Sequence, residues 1–290
     1  MCTGILTETS NGKIIFARTL EFSIPVKWKQ FNEKGIIGTM GSFYGKREWF
    51  IADGVNKHGL CVSTFYFPHY DKEYSKFEKE DKINIKDINI NEYILKNCKT
   101  IEDIKKLINK LNILEYKLEN KPFSLHWLVC DKNGNCVVLE VEKEILKLYN
   151  NPYRVITNSP SFKEQVKHVK KYDYLSKYTK PNSVSQGTGA LGLPGDSSSS
   201  SRFVRANFYI KNMVKESTSK YGMETALRIL HNFDIPLGSV VNKKDNSKDI
   251  TEYTVVYNLN NKQMKYAPYG YISDKNGNWK QTEKPVILCE

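Results

Sequence analysis

The second residue of the chain is a cysteine, followed by Thr3-Gly4-Ile5-Leu6. Cysteine is small, so the initiator Met1 in front of it can be trimmed. Cys2 would then carry a free α-amino group beside its own thiol, a nucleophile with a built-in base. An α-amine titrates at roughly 7.7–8.0, so at neutral pH part of it is unprotonated and can take the thiol proton. N-terminal nucleophiles activated by their own amine carry out acyl transfer. The competing reading of Met-Cys-Thr is an ordinary flexible terminus, because chain ends are poorly ordered unless something ties them down.

The next residues supply the tie. Thr3 to Thr9 is β-prone, Asn11-Gly12 is a two-residue turn signal, and Ile14 to Phe22 reads as a second apolar strand. With Asn11 and Gly12 as the turn, Ser10 pairs with Lys13 and Cys2 falls opposite Glu21. Arg18 beside Cys2 would favour the thiolate, and Glu21 could hold the α-amine. The two lie three apart and so on opposite faces of a regular strand, which predicts a bulge or bend near Thr19-Leu20 if both reach Cys2. An exposed Arg and Glu at a strand end is the alternative.

At 290 residues and 40% hydrophobic content, the chain can bury a large core as one big domain or two ordinary ones. It has no fixed-period repeat, no apolar run of signal-peptide type and no stretch near the ~20 apolar residues that span a bilayer. A soluble, cytoplasmic protein is expected, with no membrane partner. Its six cysteines, Cys2, Cys61, Cys98, Cys130, Cys136 and Cys289, are scattered, and free thiols are the default for such a protein. Cys130 and Cys136 near His126 match no common zinc spacing, so no metal is expected. The net charge of +12 is spread along the chain without a nucleic-acid-binding motif. It reads as solvated surface that helps attract an anionic substrate, not as a nucleic-acid site.

Residues 23–50 are mixed, with Phe43, Tyr44, Trp49 and Phe50 as core or pocket candidates. Ile51 to Val62 reads as a turn leading into a buried strand that continues through Tyr66 and Phe67. The charge-dense 71–89 reads as a surface loop. Two helices follow, the second N-capped by Thr100 with an Ile101, Ile104, Leu107, Ile108, Leu111 stripe. Phe123 to Val141 is a hairpin around Asp131-Lys132-Asn133-Gly134-Asn135, and Leu146 to Tyr149 is a strand. The run Tyr153 to Pro160 ends a strand with Asn158 at its tip, where the side-chain amide could donate to an oxyanion or serve a turn. Residues 163–185 are lysine-rich and irregular. The glycines from Gln186-Gly187 to Gly195 lack the Gly-Lys-Ser/Thr ending and preceding strand of a phosphate loop. Asp196 and the serines after it suit the start of a helix carrying Phe203, Ala206, Phe208 and Ile210. A further helix covers about 223–231, and strands follow from Thr251. Strands at both ends with helices between argue for an α+β layered domain.

Six ordered segments carry a resemblance: Met1-Cys2-Thr3; Phe16-Ala17-Arg18-Thr19-Leu20-Glu21-Phe22; Ala52-Asp53-Gly54-Val55-Asn56 with Gly59-Leu60; Leu125-His126-Trp127; Thr157-Asn158-Ser159-Pro160; and Gly187-Thr188-Gly189 through Gly192-Leu193-Pro194-Gly195-Asp196 to Ser201-Arg202-Phe203-Val204-Arg205. Together they resemble the choloylglycine hydrolase family, which includes bile salt hydrolases and penicillin V acylases. The resemblance runs over most of the chain and implies a single domain, 1–290 before Met1 is lost. It implies the N-terminal nucleophile hydrolase fold, a four-layer αββα arrangement with two stacked antiparallel sheets, and hydrolysis of a non-peptide amide through an acyl-cysteine, with no cofactor. Carried over by position, Cys2 is the nucleophile and its amine the base. Arg18 sits by the thiol, Glu21 holds the amine where the family usually has Asp, and Asn158 and the Tyr66 backbone N–H form the oxyanion hole. Arg202 matches the arginine near the nucleophile. Tyr66 is the penicillin V acylase type of residue, where bile salt hydrolases carry Asn. The stretches after Phe22 and between Asn158 and Gln186 are shorter than in the family, which bears on the acyl pocket and on the family's tetramer. The implied partner is a small, anionic N-acyl amide: a conjugated bile salt or penicillin V, then an acyl-homoserine lactone or another N-acyl amino acid. A homo-oligomer is implied by the family. A catalytically inactive basic binding protein on the same fold is the reading from another class.

Overall fold

The computed structural model describes residues 1–24, 26–43, 45–179, 188–269, 271–273 and 279–281. Tyr44, Gln186, Gly187 and Cys289, which entered the sequence reading, lie outside them. The chain opens with β1 (Cys2–Glu8) and β2 (Ile14–Phe22), buried along almost their whole length. They pair Cys2 with Leu20 and Glu8 with Ile14. This corrects the expected register by one residue. Thr9 N–H donates to Lys13 O at 2.9 Å, so the loop is Ser10-Asn11-Gly12, three residues long. Gly12 sits at φ +74°, the left-handed third position that closes such a loop as a bulge. Because side chains alternate along a strand, the corrected register changes which residues share a face with Cys2.

β2 pairs onward with β11 (Lys248–Asn258), which also carries β12 (Gln263–Pro268), while β10 (Val155–Ile156) pairs with β1. This gives one antiparallel sheet in the order β10-β1-β2-β11, with β12 beyond it. The second sheet runs β9-β8-β7-β6-β5-β4-β3, built from β3 (Val26–Glu33), β4 (Ile36–Phe43), β5 (Phe50–Asn56), β6 (Leu60–Tyr66), β7 (Leu125–Asp131), β8 (Cys136–Glu142) and β9 (Ile145–Asn150). Every ladder in these two sheets is antiparallel.

Helices cover the outer faces. α1 (Ile90–Asn97) packs on β5 and β6, and α2 (Ile101–Leu107) lies near β7. α4 (Ser199–Asn212) and α5 (Ser219–Leu230) pack on β1, β2 and β11, with α3 (Phe162–Val169) against α4. The α+β reading and its four layers are therefore those of the molecule. Trp127, Phe16, Phe65, Tyr253 and Tyr257 are among the largest fully buried side chains, and each such ring stabilises by about 2–3 kcal/mol through burial alone. Among the described residues no helix is long and apolar enough to cross a membrane.

Several elements differ from the sequence reading for identifiable reasons. Residues 51–56 form strand β5 and not a turn; Asp53, Gly54 and Asn56 disguise it, although all three are buried. The mixed stretch before it is the β3–β4 hairpin, turned at Lys34-Gly35 with φ of +52° and +75°. Segment 71–89 is more than a surface loop: Ile83–Lys86 pairs in parallel with Leu111–Leu114, and Tyr74, Ser75 and Asp87 are buried. The lysine-rich 163–185 begins with α3, whose Phe162, Gln165 and Val169 are buried at helical spacing while its lysines face out. Thr100 caps α2 in a reciprocal box with Asp103.

Candidate active site

The corrected register places Cys2, Gly4, Arg18 and Leu20 on the β1–β2 face that meets the second sheet. Thr3, Thr19 and Glu21 alternate onto the face beneath α4. No bulge forms in β2 near Thr19-Leu20. The irregularity lies in β11 at Glu252, opposite Leu20-Glu21. Arg18 thus comes to Cys2 by ordinary alternation, and Glu21 approaches the terminus from the other side.

Cys2 is 1% exposed. Its backbone N–H donates to Asn158 Oδ1 at 2.7 Å, and its carbonyl accepts from Arg202 Nη1. Arg202 also donates to Thr3 Oγ1 and to Asn158 Oδ1, both at 2.8 Å. The Asn158 amide turns its Nδ2 to Tyr66 O at 2.7 Å. Tyr66 pairs with Leu125, and the next residue, Phe67, donates to Ser124 O at 2.8 Å. In an antiparallel ladder the bonded pairs alternate, so the Tyr66 N–H and C=O both point away from β7. The β5–β6 ladder ends at Asp53–Ser63, which leaves that side of Tyr66 to Asn158. Cys2, Asn158, Tyr66 and Arg202 therefore form one connected cluster.

Local structure fixes Asn158. Its backbone N–H donates to Ser199 Oγ at 2.9 Å and its carbonyl accepts from Gln165 Nε2 at 3.2 Å. His126 is buried with Nε2 2.9 Å from Thr157 O and Nδ1 3.1 Å from Glu140. Arg202 lies in the buried first turns of α4, where Asp196 accepts from Ser198 N at 2.7 Å and Ser201 Oγ at 2.6 Å. Those bonds hold the Asp196 carboxyl down to about 2. Arg205 donates to Pro194 O and Asp196 O at 2.7 and 2.8 Å, pinning the loop before the helix. The serine-rich run is thus the scaffold for Arg202.

Glu21 is fully buried. Its Oε1 accepts from Thr251 Oγ1 at 3.1 Å, and its Oε2 has no hydrogen-bond partner. Burial raises its pKa, while the terminal ammonium and Arg202 pull it back down. Met1 extends the ladder: its ammonium donates to Glu21 O at 2.6 Å, and Glu21 N–H donates to Met1 O at 2.8 Å.

Arg18 spans the gap between the sheets. Nη1 donates to Thr64 O at 2.7 Å and Ser63 Oγ at 3.0 Å, and it reaches Ala52 O at 3.4 Å. Nε donates to Thr19 O at 3.2 Å, and the guanidinium lies 4.7 Å from the Phe65 ring centre. A register shift in the β4–β5 ladder falls at Ala52, between the Thr39–Asp53 and Met40–Ile51 pairs, and the β5–β6 ladder stops at Asp53–Ser63, short of Thr64. Nη2 is buried without a partner. Arg18, Cys2, Leu20 and Thr64 line a cavity of about 20 Å³ whose other walls include Phe22, Trp28, Phe50 and Phe123. The sequence assigns no site role to Asp53, Tyr253, Tyr257, Ser199 or Gln165, although Asp53 falls in one of the segments that carry the resemblance. Asp53 inside an apolar strand, and tyrosines four apart on one face of β11, are the signals that could have found the first three.

The profile of linear amide C–N hydrolases of the choloylglycine hydrolase family matches residues 2–273. The bile salt hydrolase/transferase of Clostridium perfringens is 32% identical over 283 residues, 88% of this chain and 85% of its own. A crystal structure of the conjugated bile acid hydrolase of Clostridium perfringens superposes with a TM-score of 0.80 at 28% identity, covering 100% of this chain and 99% of that one. The penicillin V acylase of Pectobacterium atrosepticum is 26% identical over 204 residues, 64% of this chain and 50% of its own. The fold is that of the N-terminal nucleophile hydrolases, and the protein is a hydrolase of linear amide bonds. The chain belongs to the choloylglycine hydrolase family.

Proposed function

We propose that the protein is a cysteine amidase that cleaves an N-acyl amide through an acyl-Cys2 intermediate after loss of Met1. The observation that carries this reading is the Cys2–Asn158–Tyr66 chain, closed by Arg202, around the one backbone nitrogen that becomes an α-amine on processing. That amine takes the Cys2 proton, and the sulfur attacks the substrate carbonyl. Asn158 Nδ2 and the Tyr66 N–H, side by side, stabilise the oxyanion. The α-ammonium then gives its proton to the departing amine, and water releases the acyl group by the same route. Arg202 holds the Cys2 carbonyl and the Asn158 amide in place. Arg18 lines the cavity shared with Cys2 and keeps a buried, unpartnered Nη2. Glu21, which has an unpartnered carboxylate oxygen and feels the terminal amine's charge, anchors the ammonium.

The aromatic walls suit an apolar acyl group. Phe123 stacks on Tyr66 with ring centres 5.1 Å apart and lies 5.8 Å from Phe22. A cavity of about 20 Å³ holds little more than one water, so an acyl group must part these rings. Conjugated bile salts and penicillin V, the substrates named for relatives, stand level, with acyl-homoserine lactones and other N-acyl amino acids after them.

The test is amine release from glycodeoxycholate and penicillin V in parallel, with intact mass to establish loss of Met1 and Cys2→Ala as blank. Cys2-dependent release from either substrate supports the reading. Turnover that survives Cys2→Ala, or retention of Met1 on active protein, overturns it. A folded protein that binds acyl amides and hydrolyses none would be the inactive binding protein.

A further inference from the structure

The guanidinium of Arg18 has a neighbour that this scheme leaves unused. Asp53 Oδ2 lies 3.6 Å from Arg18 Nη1, and both side chains are fully buried. The same oxygen accepts from Tyr253 OH at 2.7 Å, and Oδ1 accepts from Tyr257 OH at 2.5 Å. Asp53 belongs to β5 and the tyrosines to β11, so the carboxylate joins the two sheets behind the nucleophile. Burial raises the Asp53 pKa above its ordinary value; the Arg18 guanidinium and the two tyrosine hydroxyls oppose it by favouring the charged form.

Asp53 is one of several groups around Arg18. The carbonyls of Thr64, Ala52 and Thr19, the Ser63 hydroxyl and the Phe65 ring also hold the guanidinium. What Asp53 adds is a compensating charge. Tyr253, Tyr257, Tyr266 and Cys61 also face Asp53, and burial raises the pKa of all four, so they stay neutral. Around Cys2 the charged groups are Arg18 from β2, Arg202 from α4, Glu21 from β2 and the terminal amine.

We propose that Asp53 is a positioning residue of the nucleophile that acts through Arg18: by neutralising the guanidinium it keeps the Cys2 sulfur protonated until the α-amine takes the proton. The proposal rests on the reading of Cys2 as nucleophile. A cation without a counter-charge beside a thiol draws off its proton in the resting state. The resulting low-basicity thiolate is a weaker nucleophile, since reactivity falls with basicity with a slope of about 0.4–0.5. With Asp53 in place the S–H proton moves to the amine nitrogen. S⁻ then forms the new C–S bond, and N–H₃⁺ supplies the proton to the leaving amine as the C–N bond breaks.

The experiment is alkylation of Cys2 by iodoacetamide across pH, read by mass on the N-terminal peptide of mature protein. It needs no substrate. Asp53→Asn is expected to move the midpoint down by about one pH unit, a tenfold change in thiolate fraction below it. The acid limb of kcat should follow, with KM little changed, and Asp53→Glu should restore the wild-type midpoint. A midpoint that stays put or moves up overturns the proposal. Should Asp53→Asn fail to fold, a variant combining Asp53→Ser, Tyr253→Phe and Tyr257→Phe removes acceptor and donors together and strands neither, and the same outcomes apply. Failure of both to fold makes Asp53 purely structural, and the proposal falls. A shifted midpoint in a protein that turns over no amide sinks the amidase reading alone. Turnover with an unshifted midpoint sinks the Asp53 proposal alone.

Discussion

Asn158 links three parts of the candidate site through one side chain. One amide accepts from the Cys2 nitrogen and from Arg202 through its oxygen and reaches the Tyr66 backbone through its nitrogen. On the proposed mechanism, replacing it by Ala removes an oxyanion donor and the anchor of the nucleophile's nitrogen. Turnover should fall by about 10²–10³ in kcat, with a smaller change in KM; steady-state kinetics on whichever amide is cleaved would show it, and a loss confined to KM would contradict the role. A second residue tests the electrostatics. Glu252, at the β11 irregularity, accepts from the Trp28 indole N–H, and burial pushes its carboxyl well above the ordinary 4.5. Over the interval between those two values the folded state holds a proton that the unfolded chain has released. Stability therefore falls as pH rises through that window. Glu252→Gln keeps an acceptor for Trp28 and cannot ionise. Its Tm should match wild type in acid and exceed it increasingly toward alkaline buffer. A Tm difference that is flat with pH above the ordinary carboxylate range would show that Glu252 is ionised in the folded state.

At the scale of elements, the β1–β2 hairpin decides the site. A three-residue loop sets Cys2 against Leu20, and with that register Arg18 falls on the same face as Cys2. Gly4, opposite Arg18, leaves the space into which Phe65 projects: an added Cβ would lie 2.5 Å from the Phe65 ring. Arg18 rests on that same ring. Gly4→Ala should therefore cost about 1–3 kcal/mol by overpacking and also disturb Arg18. Denaturant unfolding would report the first effect and the Cys2 alkylation profile the second. Wild-type stability in this variant would mean that Phe65 has room to move.

At the scale of the molecule, the site exists only because two sheets face each other. Cys2 and Arg18 come from one; Tyr66, Thr64 and Asp53 come from the other. The sheets share one buried core, from which we infer that 1–290 unfolds as a unit. Calorimetry on the mature protein should give a single transition that coincides with loss of near-UV circular dichroism. Two separated transitions would divide the chain into independent parts.

Much of this was written in the sequence because the chemistry is local or ordered along the chain. Cys2 directly after Met1, the Asn-Gly turn, the Thr100 cap and the order of the motifs each depend on neighbours a few residues away. They were enough to give the fold class, the amide-hydrolase family and the residues to inspect. The register of the hairpin was not legible, since the same Asn11-Gly12 serves a two-residue turn or the end of a three-residue loop, and only the pairing of both strands with their neighbours selects one. Strand β5 was hidden by Asp53, Gly54 and Asn56, polar or small residues that are tolerated there because Arg18, Tyr253, Tyr257 and α1 satisfy or cover them. Contacts such as Cys2–Asn158 and Arg18–Asp53 join residues 156 and 35 positions apart. No local pattern encodes those distances; the stacking of the two sheets does.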